Sequence, residues 1–578
     1  MGMHTKGVLG IVLMGLLPAA CTEGPVEVRS REGVGGKTYG GVFNINEAAE
    51  VRGLFPLSLT QLPAHRIGAQ IFEGLVRLDP TDLSIKPALA TEWEVDVTGT
   101  RYTFTLRKGV RFHDDPCFVN GEGREVKPED IVDCFTALST PGEMNLLDWL
   151  FQDLVVGVST RVNAVARGEP APPVKGLEVT DDGRVRITLN SPTPGFLQVL
   201  AHQGCWIYPA EMVAHYGKEV PWHPVGTGAF RVKSFKHGTS LILERNERYW
   251  GSDELGNTLP FLDAVRYTFE KDKNVELDGF EKGRLSMVSE LPVERTQVLD
   301  TYADGRYVVQ STPGLSVQFY GFNRRMAPFQ ELRVRQAFSM AIDRRTLVDS
   351  VLNGLAVAAE HGVVPPGFAD YPYDSVPRTA YDPEAARSLL AAAGYPDGRG
   401  LPSVFLQVNS DGFGYVRVAG VVQTMLEKVL GVSAVITVLP ADQHFERVDR
   451  SQSQFWREGW VADHPDPENF LAMFYGRNAP ADSTAPSYLN STRYADERFD
   501  AYFAKAQITA DRTERMGLLA KAERQLMEDM VVIPLYHERT VRVLQPWVRD
   551  LPINGMDFID LRGAWFDRSV MGSQKNLP

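Results

Sequence analysis

Short β-rich runs alternate with amphipathic helical stretches along nearly the whole of this chain, and after the first 21 residues no run reaches eighteen consecutive apolar residues. YTFTLRKGVRF, from Tyr102 to Phe112, alternates apolar and polar β-formers and runs into a turn-like HDDP. RVRITL and SLILER are further strand candidates. KPEDIVDCFTAL sets a proline and two acids at a helix start, and DPEAARSLLAAAGY predicts a capped helix ending at Gly394. VRQAFSMAIDRRTLVDSVL, from Val334 to Leu352, spaces its apolar residues close to helical period. A mixed α/β class follows. At 578 residues the chain outgrows a single core, so two or three domains are expected.

The first 21 residues, MGMHTKGVLGIVLMGLLPAAC, differ from the rest: one lysine, an apolar run from Val8 to Leu17, small residues, then cysteine. They predict an export signal too short to span a bilayer. The Ala19-Ala20-Cys21 ending resembles a bacterial lipobox, which implies a lipid on Cys21; Pro18 stands where that motif usually has leucine. Residues 22–36 form a polar tether, and GVGGKT within it fails as a phosphate loop because Arg31 occupies the required glycine position. Three cysteines remain. Cys117 and Cys134 flank a loop-like segment and are the candidate disulfide for an extracytoplasmic protein, which leaves Cys205 as a buried free thiol.

The formal charge of -13 is spread without a Lys/Arg-rich run, which argues against a nucleic-acid partner. No GxSxG, HExxH or CxxC is present, and the 11 histidines are scattered, so neither a catalytic motif, a metal cage nor a cofactor is read from the sequence. His113-Asp114-Asp115 is the densest alternative and reads as a solvated turn after a strand. A secreted carboxylate-dependent hydrolase stays a remote alternative, because the separation of two carboxylates is not a sequence property.

Several stretches taken in order resemble one family, the bacterial extracellular solute-binding proteins of the peptide/nickel class, family 5. They are IFEGLVRLDP, PALATEWEVDVTGTRYTFTLRKGVRFHDD, REVKPEDIVDCF, PVGTGAFRVKSF, LILERNERYWG, AAGYPDGRGLP, GWVADHPDPENF and VVIPLYHERTVRVLQPWV. The resemblance covers about Lys37 to Asp567. It implies a two-lobed periplasmic-binding-protein fold with a hinge and an additional domain inserted in the first lobe. Lobe I would take residues 37–77, 191–269 and 531–578, the extra domain 78–190, and lobe II 270–530. By the same resemblance the protein is a tethered, extracytoplasmic monomer that captures a peptide and delivers it to an ABC permease. A nickel chelate, an oligosaccharide or haem would be the alternative ligand.

The resemblance also points to residues. In peptide-binding relatives the aspartate of a Trp-x-x-Asp segment takes the ligand's α-ammonium, and here that segment is Trp460-Val461-Ala462-Asp463. A buried ammonium needs such a carboxylate. Trp460 would cover the first ligand residue, Pro465 and Pro467 would stiffen the turn, and Asp466 and Glu468 would cap the helix near Asn469. His65 and Arg66 are candidate contacts to ligand backbone or carboxylate. Glu538 stands where an aromatic ligand contact is expected and favours a cationic ligand.

Overall fold

The computed structural model describes residue 2 and residues 31–49, 51–289, 291, 306–410, 414–482 and 485–574; Cys21 lies outside these. Two sheets divide the molecule into lobes. The smaller has four strands in the order Val42–Asn46, Ala264–Thr268, Ser240–Arg245, Phe230–Lys236, with only the first pair parallel. The larger has eight, running Met287–Ser289, Val532–Leu544, Ser316–Phe322, Phe455–Val461, Val404–Asn409, Ala434–Leu439, with Val308–Pro313 and Ala356–Ala358 paired to the second. A third sheet of four antiparallel strands, Ala90–Val95, Arg101–Leu106, Val185–Thr188 and Leu177–Val179, builds the extra domain.

The predicted alternation at Tyr102 and Phe104 holds, with both rings buried against the rest of a core that is continuous between the extra domain and the first lobe. The second lobe carries two cores, one on each face of its sheet. Where the sequence predicts one helix from Val334 to Leu352, the structure has Leu332–Met340 and then a new start at Asp343, whose carboxylate accepts from the Arg345 and Thr346 amides. A strong N-cap in mid-pattern outweighs continuous helical spacing. Helix Pro383–Ala392 is capped by Asp382 as its sequence implies.

The thirteen-residue strand Val532–Leu544 does not sit wholly in the first lobe, as the division above has it. Its first half pairs with Ser316–Phe322 in the second lobe's sheet. Its second half pairs with Val308–Pro313 and Met287–Ser289, and Ser286 hydrogen-bonds Asn44 of the small sheet. The lobes are thus joined by a β-ribbon that breaks at Gly314, opposite Glu538. A Cβ at Gly314 would stand 2.8 Å from the Glu538 carbonyl oxygen, so the close approach at the break requires glycine.

Cys117 and Cys134 are not bridged; both are free, as is Cys205. Cys134 points from helix Pro128–Leu138 into the core, where its Sγ donates to the Tyr208 carbonyl at 3.2 Å. Cys117 sits on a loop held by Asp115. The solvated reading of His113 is also corrected: it is buried, its Nε2 donating to the Gly228 carbonyl at 2.9 Å. No helix among the described residues is long and apolar enough to cross a membrane.

Candidate functional site

Strand Phe455–Val461 ends at the cleft between the lobes. The next residue, Ala462, is tied by its amide to the Leu315 carbonyl at 2.9 Å, and the chain then turns through Asp463-His464-Pro465. Asp466 and Glu468 anchor that turn. Asp466 accepts from the Glu468 amide, as a cap would, but both carboxylates are also gripped by Arg515, at 2.7 and 2.9 Å on Asp466 and 2.6 Å on Glu468. The ion pair is buried, so the proline-flanked turn is held by a cation 49 residues away in sequence from Asp466.

Asn469 arranges the residues in front of it. Its Oδ1 accepts from the Trp460 indole at 2.7 Å and from the Asp463 amide at 3.1 Å. Its Nδ2 reaches the Asp463 carboxylate at 3.5 Å and the His464 ring at 3.4 Å. Trp460 therefore stands behind the cleft wall, partly buried in the second lobe's core, with its orientation set by the residue that also sets Asp463.

Asp463 opens to the water of a cavity of about 710 Å³ lined from both lobes. That volume lies within the range of small-ligand sites. Enclosure in the cleft raises the Asp463 carboxyl above its ordinary value, while the Asn469 hydrogen bond and the His464 and His65 rings oppose the rise. Among the described residues no lysine or arginine pairs with it.

On the facing wall, helix Leu62–Ile71 packs so closely on Trp206 that a Cβ at Gly68 would meet the ring at 2.5 Å. The helix presents His65 to the cavity, with Nε2 3.1 Å from the Leu59 carbonyl. Burial lowers the His65 pKa, and burial drives His202 beside it down to about 3, so both are neutral at pH 7. Arg66 lines the cavity too, but its guanidinium is engaged by Glu47 at 3.1 Å and by Asp557, which Arg542 also holds at 2.6 Å. Glu538 faces the cavity from the ribbon break and accepts from Gln318 at 3.1 Å.

The sequence reading missed Asn469 and two further groups in the wall. Glu73 is buried and accepts from Thr227, Tyr249 and Trp250, each at 2.9 Å. Arg562 grips Asp560, with Arg77 4.0 Å from the same carboxylate. A charged residue inside the apolar run IFEGL was the available signal for Glu73.

A family model described as bacterial extracellular solute-binding proteins, family 5 Middle, matches residues 84–482. The chain belongs to this family. Among family relatives, the periplasmic oligopeptide-binding protein OppA of Salmonella typhimurium is 26% identical over 515 residues, covering 87% of this chain and 88% of that protein. The glutathione-binding protein GsiB of the same organism is 27% identical, covering 88% and 91%. The Helicobacter pylori periplasmic binding protein DppA, solved with the peptide STSA, superposes with a TM-score of 0.71 at 24% identity, covering 91% of this chain and 98% of that one. The two-lobed family-5 fold and the solute-binding class stand on these matches, and the relatives are binding proteins rather than enzymes.

Proposed function

We propose that this protein captures peptides with a free N-terminal ammonium, closing its lobes about the β-ribbon and delivering the ligand to an ABC permease. One observation carries the reading: a carboxylate, Asp463, is aimed into an interlobe cavity by Asn469 with no lysine or arginine beside it among the described residues. A ligand ammonium supplies the missing cation, and lobe closure would exclude water from the pair. Removing one partner of a desolvated ion pair costs about 3 kcal/mol or more, roughly a hundredfold in affinity. Titration calorimetry on the full chain tests this. A free peptide is expected to outbind its N-acetylated form by about that factor in the wild type and to lose the advantage in Asp463→Ala. Equal affinity of both forms for the wild type would sink the peptide reading and favour a ligand without an ammonium, such as an oligosaccharide or haem.

Export and anchoring belong to the same proposal. The signal-like first 21 residues end at Cys21, and the acyl chains of a lipidated cysteine contribute about 0.8 kcal/mol per buried methylene to membrane binding. Cys21→Ala is expected to move the protein from the membrane fraction to the soluble one; retention on membranes contradicts the anchor.

A further inference from the structure

Among the described residues, Arg66, Arg77, Arg539 and Arg562 line the interlobe cavity, and all but one stand beside a carboxylate. Arg66 is held by Glu47 and Asp557, Arg562 by Asp560, and Arg77 lies 4.0 Å from that same Asp560. Arg539 has no such partner among the described residues. Its Nη1 reaches only the Ser311 hydroxyl, at 3.5 Å, and its backbone amide donates to the Leu355 carbonyl at 2.9 Å. The neighbouring carboxylate, Glu538, accepts from Gln318 instead. An arginine keeps its charge at any physiological pH, so the cavity holds a cation without a counter-ion. Asp463 is the complementary case, a carboxylate with no lysine or arginine beside it among the described residues.

The two lie on opposite flanks of one strand. Phe455–Val461 and Val532–Leu544 pair with the two edges of Ser316–Phe322. Just ahead of that strand, the Leu315 carbonyl receives the Ala462 amide and the Gly314 amide donates to the Glu538 carbonyl. Asp463 and Arg539 each follow one residue after those ties. Two strand spacings, about 10 Å, therefore separate their backbones. An extended chain of about two or three residues covers that span.

We infer that Arg539 is an anion subsite on the β-ribbon, and that the ligand is a compact zwitterion with its ammonium on Asp463 and a carboxylate on Arg539. This deepens the reading of Asp463 given above and rests on it. A guanidinium presents a planar fork of N–H donors that matches a carboxylate with two parallel hydrogen bonds. For a peptide ligand the spacing selects chains of about two or three residues. The carboxylate is either the C-terminus or an acidic side chain.

The experiment titrates four probes into the full chain: trialanine, trialanine amide, N-acetyl-trialanine, and alanylglutamate α-amide, whose only carboxylate is on its side chain. Wild type, Arg539→Gln and Arg539→Lys are compared, with melting temperatures checked. Trialanine is expected to outbind its amide by about tenfold in the wild type, the order of a charged hydrogen-bonded pair. Arg539→Gln should erase that difference while melting as wild type does, and Arg539→Lys should keep part of it. If alanylglutamate α-amide also loses affinity in Arg539→Gln, a side-chain carboxylate uses the subsite as well; if it does not, the subsite is for the C-terminus. Equal binding of trialanine and its amide to the wild type, or an equal loss of both in Arg539→Gln, overturns the anion subsite. Asp463 is judged separately, by the penalty on N-acetyl-trialanine. No binding of any probe overturns both readings.

Discussion

At the scale of single residues, the role proposed for Asp463 depends on Asn469. One side-chain amide orients the indole of Trp460, the amide and carboxylate of Asp463, and the ring of His464. Asn469→Ala is expected to weaken free peptides about tenfold, the order of one or two lost hydrogen bonds, and to leave acetylated peptides nearly unaffected. Calorimetry on the same peptide pair checks it. A uniform loss on both peptides would make Asn469 merely structural. The Trp-x-x-Asp segment of the family resemblance drew attention to Trp460 and Asp463, and the structure puts Asp463 at the cavity and Trp460 behind its wall. The role of Asn469 was not legible, since it exists only once the chain doubles back through Pro465-Asp466-Pro467 onto Arg515. Arg66 read as a possible ligand contact through the family resemblance alone. The partners that occupy it, Glu47 and Asp557, lie 19 and 491 residues away, which no local pattern reports.

Strands and helices were easier to read than their pairing. Alternation located Arg101–Leu106, Val185–Thr188 and Ser240–Arg245, because side-chain period is a local property. The allegiance of Val532–Leu544 was not local: the same thirteen residues pair with one lobe at one end and with the crossing strands at the other. The Gly314 break is where that ribbon passes from one set of pairings to the other. Its amide donates to the Glu538 carbonyl at 2.7 Å, and the next residue, Leu315, offers the carbonyl that receives Ala462 just ahead of Asp463. Gly314→Val would force the strands apart at this point and is expected to cost about 1–3 kcal/mol. Thermal melting should show the loss, and peptide affinity should fall with it because the strain is delivered to both Glu538 and the Asp463 turn. A variant with lowered melting but unchanged affinity would show that the break does not set the site.

Across the whole molecule, burial-depressed histidines tie stability to acidity, and besides the cleft pair His65 and His202 three of them lie in the core. His113 lies where the extra domain meets the first lobe, donating to Gly228 and accepting from the Gly226 amide at 3.4 Å. His444 lies in the second lobe with both ring nitrogens used, one on the Arg457 carbonyl at 2.8 Å and one facing Gln407 at 3.1 Å. His537 lies in the ribbon, 2.8 Å from the Ser316 carbonyl. Burial lowers each from 6.5 to about 4. With the folded value depressed, the unfolded chain takes up protons first as pH falls below 6.5. Stability is then full above that pH and is lost progressively down to about 4. By pH 5 the loss is about 2 kcal/mol per histidine. The three sites lie in separate parts of the fold, so their contributions should add. Urea midpoints measured at pH 7, 6 and 5 are expected to fall steeply. His537→Gln, which can still donate to Ser316, should flatten the slope by about one histidine's share. An unchanged slope in that variant would mean that His537 takes up its proton as readily folded as unfolded.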